Sequence, residues 1–98
     1  MILSKVIGTV VSTQKDPKLT GGKLLIVQQL DMDMNPMNTF QVALDSVGAG
    51  DNEVVLIATG SSARLTALSK DKPIDAVIMG IVDTVELSGK TVYKKFDK

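Results

Sequence analysis

Two glycine-rich turns bracket one apolar strand in this chain: Val47-Gly48-Ala49-Gly50, then Glu53-Val54-Val55-Leu56-Ile57-Ala58-Thr59, then Gly60-Ser61-Ser62-Ala63-Arg64. Glycine supplies backbone angles that a side chain forbids, so two such turns fix a tight path on both sides of the strand rather than a generic loop. The block therefore reads as architecture. A P-loop requires a glycine lattice followed by Lys-Ser/Thr and a helix, and a dinucleotide fingerprint requires a third glycine opening a helix. Here Asp51-Asn52-Glu53 and a strand follow Gly50, so neither phosphate-binding motif is met.

The remainder reads as short strands. Ile2 to Thr13 is rich in β-branched residues, with Gly8 marking a bend or bulge. Asp16-Pro17 and Gly21-Gly22 punctuate a loop, and Lys23 to Leu30 follows as a second strand, apolar on both sides at Leu24-Leu25-Ile26-Val27. A polar loop from Asp31 to Asn38 leads into a third strand, Thr39 to Leu44, and Glu53 to Thr59 is the fourth. Ser61 or Ser62 is placed to cap a short helix running about Ala63 to Ser69, which Pro73 ends. An apolar strand within Asp75 to Glu86 then turns at Ser88-Gly89 into a final strand near Thr91-Val92-Tyr93. The tail from Lys94 to Lys98 is expected to move unless a neighbour holds it. This order predicts an all-β fold, a small five-stranded barrel of the oligonucleotide- and oligosaccharide-binding type with one short helix and a C-terminal hairpin. At 98 residues the chain is expected to be one domain, 1–98.

Composition narrows the function. Lysine and arginine number 11 against 11 acidic residues, so the formal net charge is zero and the electrostatic drive toward nucleic acid or an anionic membrane is missing. With 44% hydrophobic residues, part of the apolar surface is expected to be covered by partner subunits, although a well-filled small core accounts for it equally. The absence of cysteine removes disulfides, thiolate metal sites and cysteine nucleophiles, and the absence of histidine removes the commonest general base and transition-metal ligand. Both argue against an enzyme. No apolar run reaches the roughly 18 residues of a membrane span, and Met1-Ile2-Leu3-Ser4-Lys5 begins as a strand rather than a signal peptide, so a cytoplasmic protein is the default expectation.

Three constellations have the residue types for chemistry. Asp31-Met32-Asp33-Met34-Asn35 has the opening spacing of a calcium loop, but Pro36 stands where the sharp-turn glycine is needed and Val42 where the bidentate glutamate is needed. Ser12-Thr13-Gln14-Lys15 matches the Ser-x-x-Lys pattern of serine acyl-enzymes, yet the serine ends a strand and the partner motifs are missing. Arg64 is open to two readings: an anion held together with the serine amides, or a carboxylate of its own fold or of the next subunit. Asp45, Asp75 and Asp83 fall at strand ends as turn or interface partners. A barrel that binds single strands presents several aromatic platforms along a basic groove, and only Phe40, Tyr93 and Phe96 are available. No cofactor or metal is expected.

Thr9-Val10-Val11-Ser12-Thr13-Gln14-Lys15, Lys23-Leu24-Leu25-Ile26-Val27, Asp45-Ser46-Val47-Gly48-Ala49-Gly50, Gly60-Ser61-Ser62-Ala63-Arg64 and Gly80-Ile81-Val82-Asp83 together resemble the EutN/CcmL family, the pentameric vertex proteins of bacterial microcompartments. The resemblance runs in order over nearly the whole chain. One departure is Asn52, where the family commonly has glycine; asparagine is the next most tolerant residue for left-handed angles, so the turn is expected to be kept. The resemblance implies a structural shell protein, a homopentamer that caps the corners of a polyhedral shell in the bacterial cytoplasm. Its implied partners are hexameric shell proteins and, as further candidates, encapsulated enzymes, with neither nucleic acid nor membrane. As candidates for the subunit interface it marks Lys15, Asp45, Gly48, Ala49, Gly50, Gly60, Ser61, Ser62, Ala63, Arg64 and Asp83. The competing reading is a barrel module that binds nucleic acid or a small ligand.

Overall fold

Seven strands follow one another along the chain: β1 (Ile2–Val10), β2 (Lys23–Leu30), β3 (Pro36–Asp45), β4 (Val54–Thr59), β5 (Ala76–Ile81), β6 (Thr84–Leu87) and β7 (Lys90–Lys94). They are seen in a computed structural model that describes residues 1–13, 15–19, 22–70 and 72–96. The first five close into a barrel in the order β1-β2-β3-β5-β4, and β6 and β7 form a separate two-stranded hairpin. The expected five-stranded barrel and C-terminal hairpin are both present. Gly21 of the expected loop, Gln14 of the Ser-x-x-Lys pattern and Asp97 and Lys98 of the tail lie outside the described residues.

Local chemistry accounts for most boundaries. β2 occupies the predicted span, and its register against β1 slips between Val6 and Gly8, so the glycine marks a bulge as expected. β1 stops at Val10 instead of Thr13, because its ladder with β2 ends where Val10 faces Leu24. β3 starts earlier than the alternation suggested. Asp31 Oδ1 accepts the amides of Asp33 and Asn35, both at 2.9 Å, which compresses the predicted loop into a short turn and lets pairing resume at Pro36. Residues 36–42 have a strand on one side only, so proline is tolerated at their start and their side chains stay largely exposed.

The core has two parts. Val6, Leu25, Val27, Ala43, Ala49, Val55, Ile57, Ala76 and Ile78 fill the barrel interior, while Leu44, Ala58, Ala63, Ile74 and Val77 pack on the opposite side of the sheet. Adjacent residues such as Ala43 and Leu44, or Val77 and Ile78, are therefore buried on opposite faces. That is why these strands lack strict apolar-polar alternation.

The predicted helix over 63–69 is not formed. A 3-10 turn, Gly60–Arg64, stands in its place, flanked by Thr59, which makes no side-chain cap. Beyond it Thr66 and Ser69 bond reciprocally: the Thr66 amide donates to Ser69 Oγ at 3.2 Å and the Ser69 amide to Thr66 Oγ1 at 3.0 Å. Such side-chain bonds offer the backbone an alternative to helical pairing. Leu65, 82% exposed, consequently faces outward and not onto a helical apolar stripe.

Candidate functional site

The first glycine turn is fastened by a carboxylate. Asp45, at the end of β3 and buried, accepts the amides of Val47, Gly48 and Ala49 through Oδ1 at 3.0, 3.1 and 3.2 Å, and Ala49 also reaches Oδ2 at 3.0 Å. An ionised carboxylate binds amides more strongly than a neutral acceptor does, so the turn is held from inside. Gly48 has φ 78°, a left-handed angle that favours glycine, and Ala49 is driven into the barrel core. Asn52 takes φ 67°, as its position predicted.

Glu53 links this turn to the C-terminal hairpin. The Gly50 amide donates to Glu53 Oε1 at 2.6 Å, and Lys95 Nζ pairs with Glu53 Oε2 at 2.5 Å. The Lys95 amide also donates to the Asp83 carbonyl at 2.8 Å. The Lys95 ammonium, with help from the Gly50 amide, holds the Glu53 carboxyl below the usual glutamate range, and Glu53 in turn raises Lys95. Lys94 and Lys95 are thus tied into the fold, against the expectation of a loose tail.

The second glycine turn is built differently. Gly60, at φ 65°, donates its amide to the Asp75 carbonyl at 2.8 Å, and the Leu65 amide closes on the Ser62 carbonyl at 3.3 Å. Ala63 is fully buried in the outer cluster. Ser61, Ser62 and Arg64 are exposed, and Arg64 meets no carboxylate among the described residues, where the one ion pair is Lys95–Glu53.

The structure therefore gathers most of the marked residues into two groups. Asp45, Gly48, Ala49 and Gly50 form one, joined through Glu53 and Lys95 to Asp83; Gly60 through Arg64 form the other. Lys15 joins neither and stands exposed in the segment before Pro17. Sequence reasoning missed Glu53 and Lys95, which are far apart in the chain. The role of Asp45 was legible in principle, since an aspartate two to four residues before a glycine turn is an acceptor for its amides. Among the described residues no group of three His, Cys, Asp or Glu side chains is placed to hold a metal, and no helix is long and apolar enough to cross a membrane.

Residues 1–83 match the family described as ethanolamine utilisation protein EutN/carboxysome. The chain belongs to the EutN/CcmL family. It is 53% identical over 97 residues to the carboxysome shell vertex protein CcmL of Synechocystis, covering 99% of this chain and 97% of that protein. In structure it superimposes on CcmL of Gloeobacter violaceus with a TM-score of 0.96 at 45% identity, covering 99% of this chain and 100% of the other. It also matches the GrpN pentameric microcompartment shell protein of Rhodospirillum rubrum, with a TM-score of 0.82 at 50% identity, covering 89% of this chain and 99% of the other. Family membership explains the resemblance of the two glycine blocks, and the hairpin beyond residue 83 lies outside the family match but within the near full-length matches to CcmL.

Proposed function

We propose that this chain is a structural shell protein, forming homopentamers at the vertices of a bacterial microcompartment in the cytoplasm. The observation that carries this reading is the near full-length match to proteins named shell vertex proteins, in sequence and in fold together. The surface supports it. Ile26 on β2 faces Val42 on β3, and Val42 and Phe40 are about half exposed, which leaves an apolar strip on the outside of the barrel. Exposed apolar strips of this kind mark protein contacts. A closed ring uses a heterologous interface, in which one patch meets a different patch on the next copy. The fixed glycine turns give such patches a constant shape, with Ser61 and Ser62 displayed at the rim. Flat layers of hexameric shell proteins are the partners into which such a ring inserts to supply curvature, and the enclosed enzymes carry the chemistry.

The test is the mass of the purified protein by light scattering at micromolar concentration, where five chains are expected and a monomer would overturn the proposal. In a host that makes the rest of the shell, deletion should leave open or elongated shells. Normal closed polyhedra, with no related vertex protein encoded, would count equally against it.

A further inference from the structure

A cleft of about 680 Å³ opens between the 3-10 turn Pro17–Leu19, the second glycine turn and the connection into β5. Among the described residues Lys18, Arg64 and Lys72 line it with one carboxylate, Asp16, and Leu65 and Pro73 supply an apolar wall. On a chain of zero net charge, three cations around one cleft form a local excess. Asp16 is already engaged, since its Oδ1 accepts the Lys18 amide at 2.8 Å, and no ion pair of the described residues involves any of the three cations. The walls are anchored from below. Leu19, Ala63 and Ile74, each next to a lining residue, pack in the outer core cluster, and the Ile74 amide closes on the Lys72 carbonyl at 2.8 Å.

Charge and shape select the ligand. Among the described lining residues three positive charges against one negative leave two, and a phosphate monoester carries about −1.5 to −2 at neutral pH, whereas a lone carboxylate would leave a cation unmatched. The Arg64 guanidinium offers a fork that fits two phosphate oxygens, with the Lys18 and Lys72 ammoniums as point charges and the Ser61 hydroxyl at the cleft edge. The space exceeds what phosphate alone fills, and Leu65 and Pro73 are the surface on which a carbon skeleton would rest. We infer that this cleft binds the phosphate dianion of a small phosphorylated metabolite, with Arg64, Lys18 and Lys72 on the phosphate. The inference is read from one chain, and because Arg64 and Ser61 are also interface candidates it requires the cleft to stay open in the assembled ring.

The experiment is calorimetric titration of the assembled protein with glycerol 3-phosphate and, separately, inorganic phosphate. Saturable binding of one ester per chain is expected, tighter than inorganic phosphate and weakened by added salt. Lys72→Gln should weaken it about tenfold, the loss of one charge-assisted hydrogen bond. Arg64→Gln should weaken it more, and Lys90→Gln, on the distant hairpin, should leave it unchanged. If Arg64→Gln alters assembly, Lys18→Gln and Lys72→Gln carry the comparison. No saturable binding by the assembled protein would overturn the inference, as would equal losses in Lys72→Gln and Lys90→Gln. Inorganic phosphate bound as tightly as the ester would overturn the metabolite assignment and leave a site for free phosphate.

Discussion

The two glycine turns bury an alanine each, Ala49 in the barrel and Ala63 in the outer cluster, yet they are secured by opposite means. The first spends its polar side chains on itself: Asp45 holds three consecutive amides and Glu53 a fourth. The second relies on backbone bonds from Gly60 and Leu65 and leaves Ser61, Ser62 and Arg64 exposed. A turn whose side chains are consumed internally can only shape the surface. One that is held by backbone alone has side chains to offer a partner or a ligand.

The sharpest way to break this contrast is to remove one side chain from each turn. Asp45→Ala strands the buried amide of Ala49 and removes the part-buried bonds to Val47 and Gly48, and should cost on the order of 3 kcal/mol in urea unfolding, whereas Ser62→Ala should stay within about 0.5 kcal/mol. Comparable losses would show that both turns are fastened alike. A smaller effect is expected from backbone strain. Gly48→Val forces a β-branched residue to φ 78° and should destabilise by about 1–3 kcal/mol, while Gly50, with no left-handed angle, should tolerate alanine with a smaller loss. Equal thermal shifts for the two variants would remove the turn geometry as the cause.

The smallest effect concerns acid. The Glu53 carboxyl is lowered in the folded protein, so its contribution is present above the unfolded glutamate range and is lost as pH falls through the lower folded value. Below that range the Lys95 tether should loosen while the barrel persists. Following the Gly50 and Lys95 amide resonances through acid titration checks it, and a shift at neither amide would dissociate Glu53 from the hairpin. Glu53→Gln should abolish the pH-dependent shift at Lys95.

What could be read in advance followed the range of the physics involved. Local signals were legible: the β2 span, the bulge at Gly8, left-handed Asn52, and the Ser88-Gly89 turn, where both residues take positive φ. The helix was misread because Thr66 and Ser69 satisfy one another's amides, a local competition that apolar spacing at Leu65 and Leu68 does not reveal. Pro36 hid the start of β3, since proline excludes a central strand but not a stretch with one open edge. Of the candidate site, the two glycine blocks stood out, and Lys15 had only its place in the resemblance. The Glu53–Lys95 pair joins residues with no common motif, and the cleft cations come from three separate segments, so only the folded chain brings them together.

The barrel is closed by a short parallel seam, Leu44 against Val77 and Asp45 against Ile78, reinforced where Ser46 Oγ donates to the Ile78 carbonyl at 2.5 Å. Between the two sides of that seam run the first glycine turn, β4 and the connection that carries Arg64 and Lys72, so the seam ties together segments distant in the chain. The entropy of closing a flexible loop rises only logarithmically, by about 0.6 kcal/mol for each doubling of its length. By that measure an insertion beside the exposed Leu65 costs the barrel little in chain entropy, provided the Thr66–Ser69 bonds and the packing of Ala63 and Ile74 are kept.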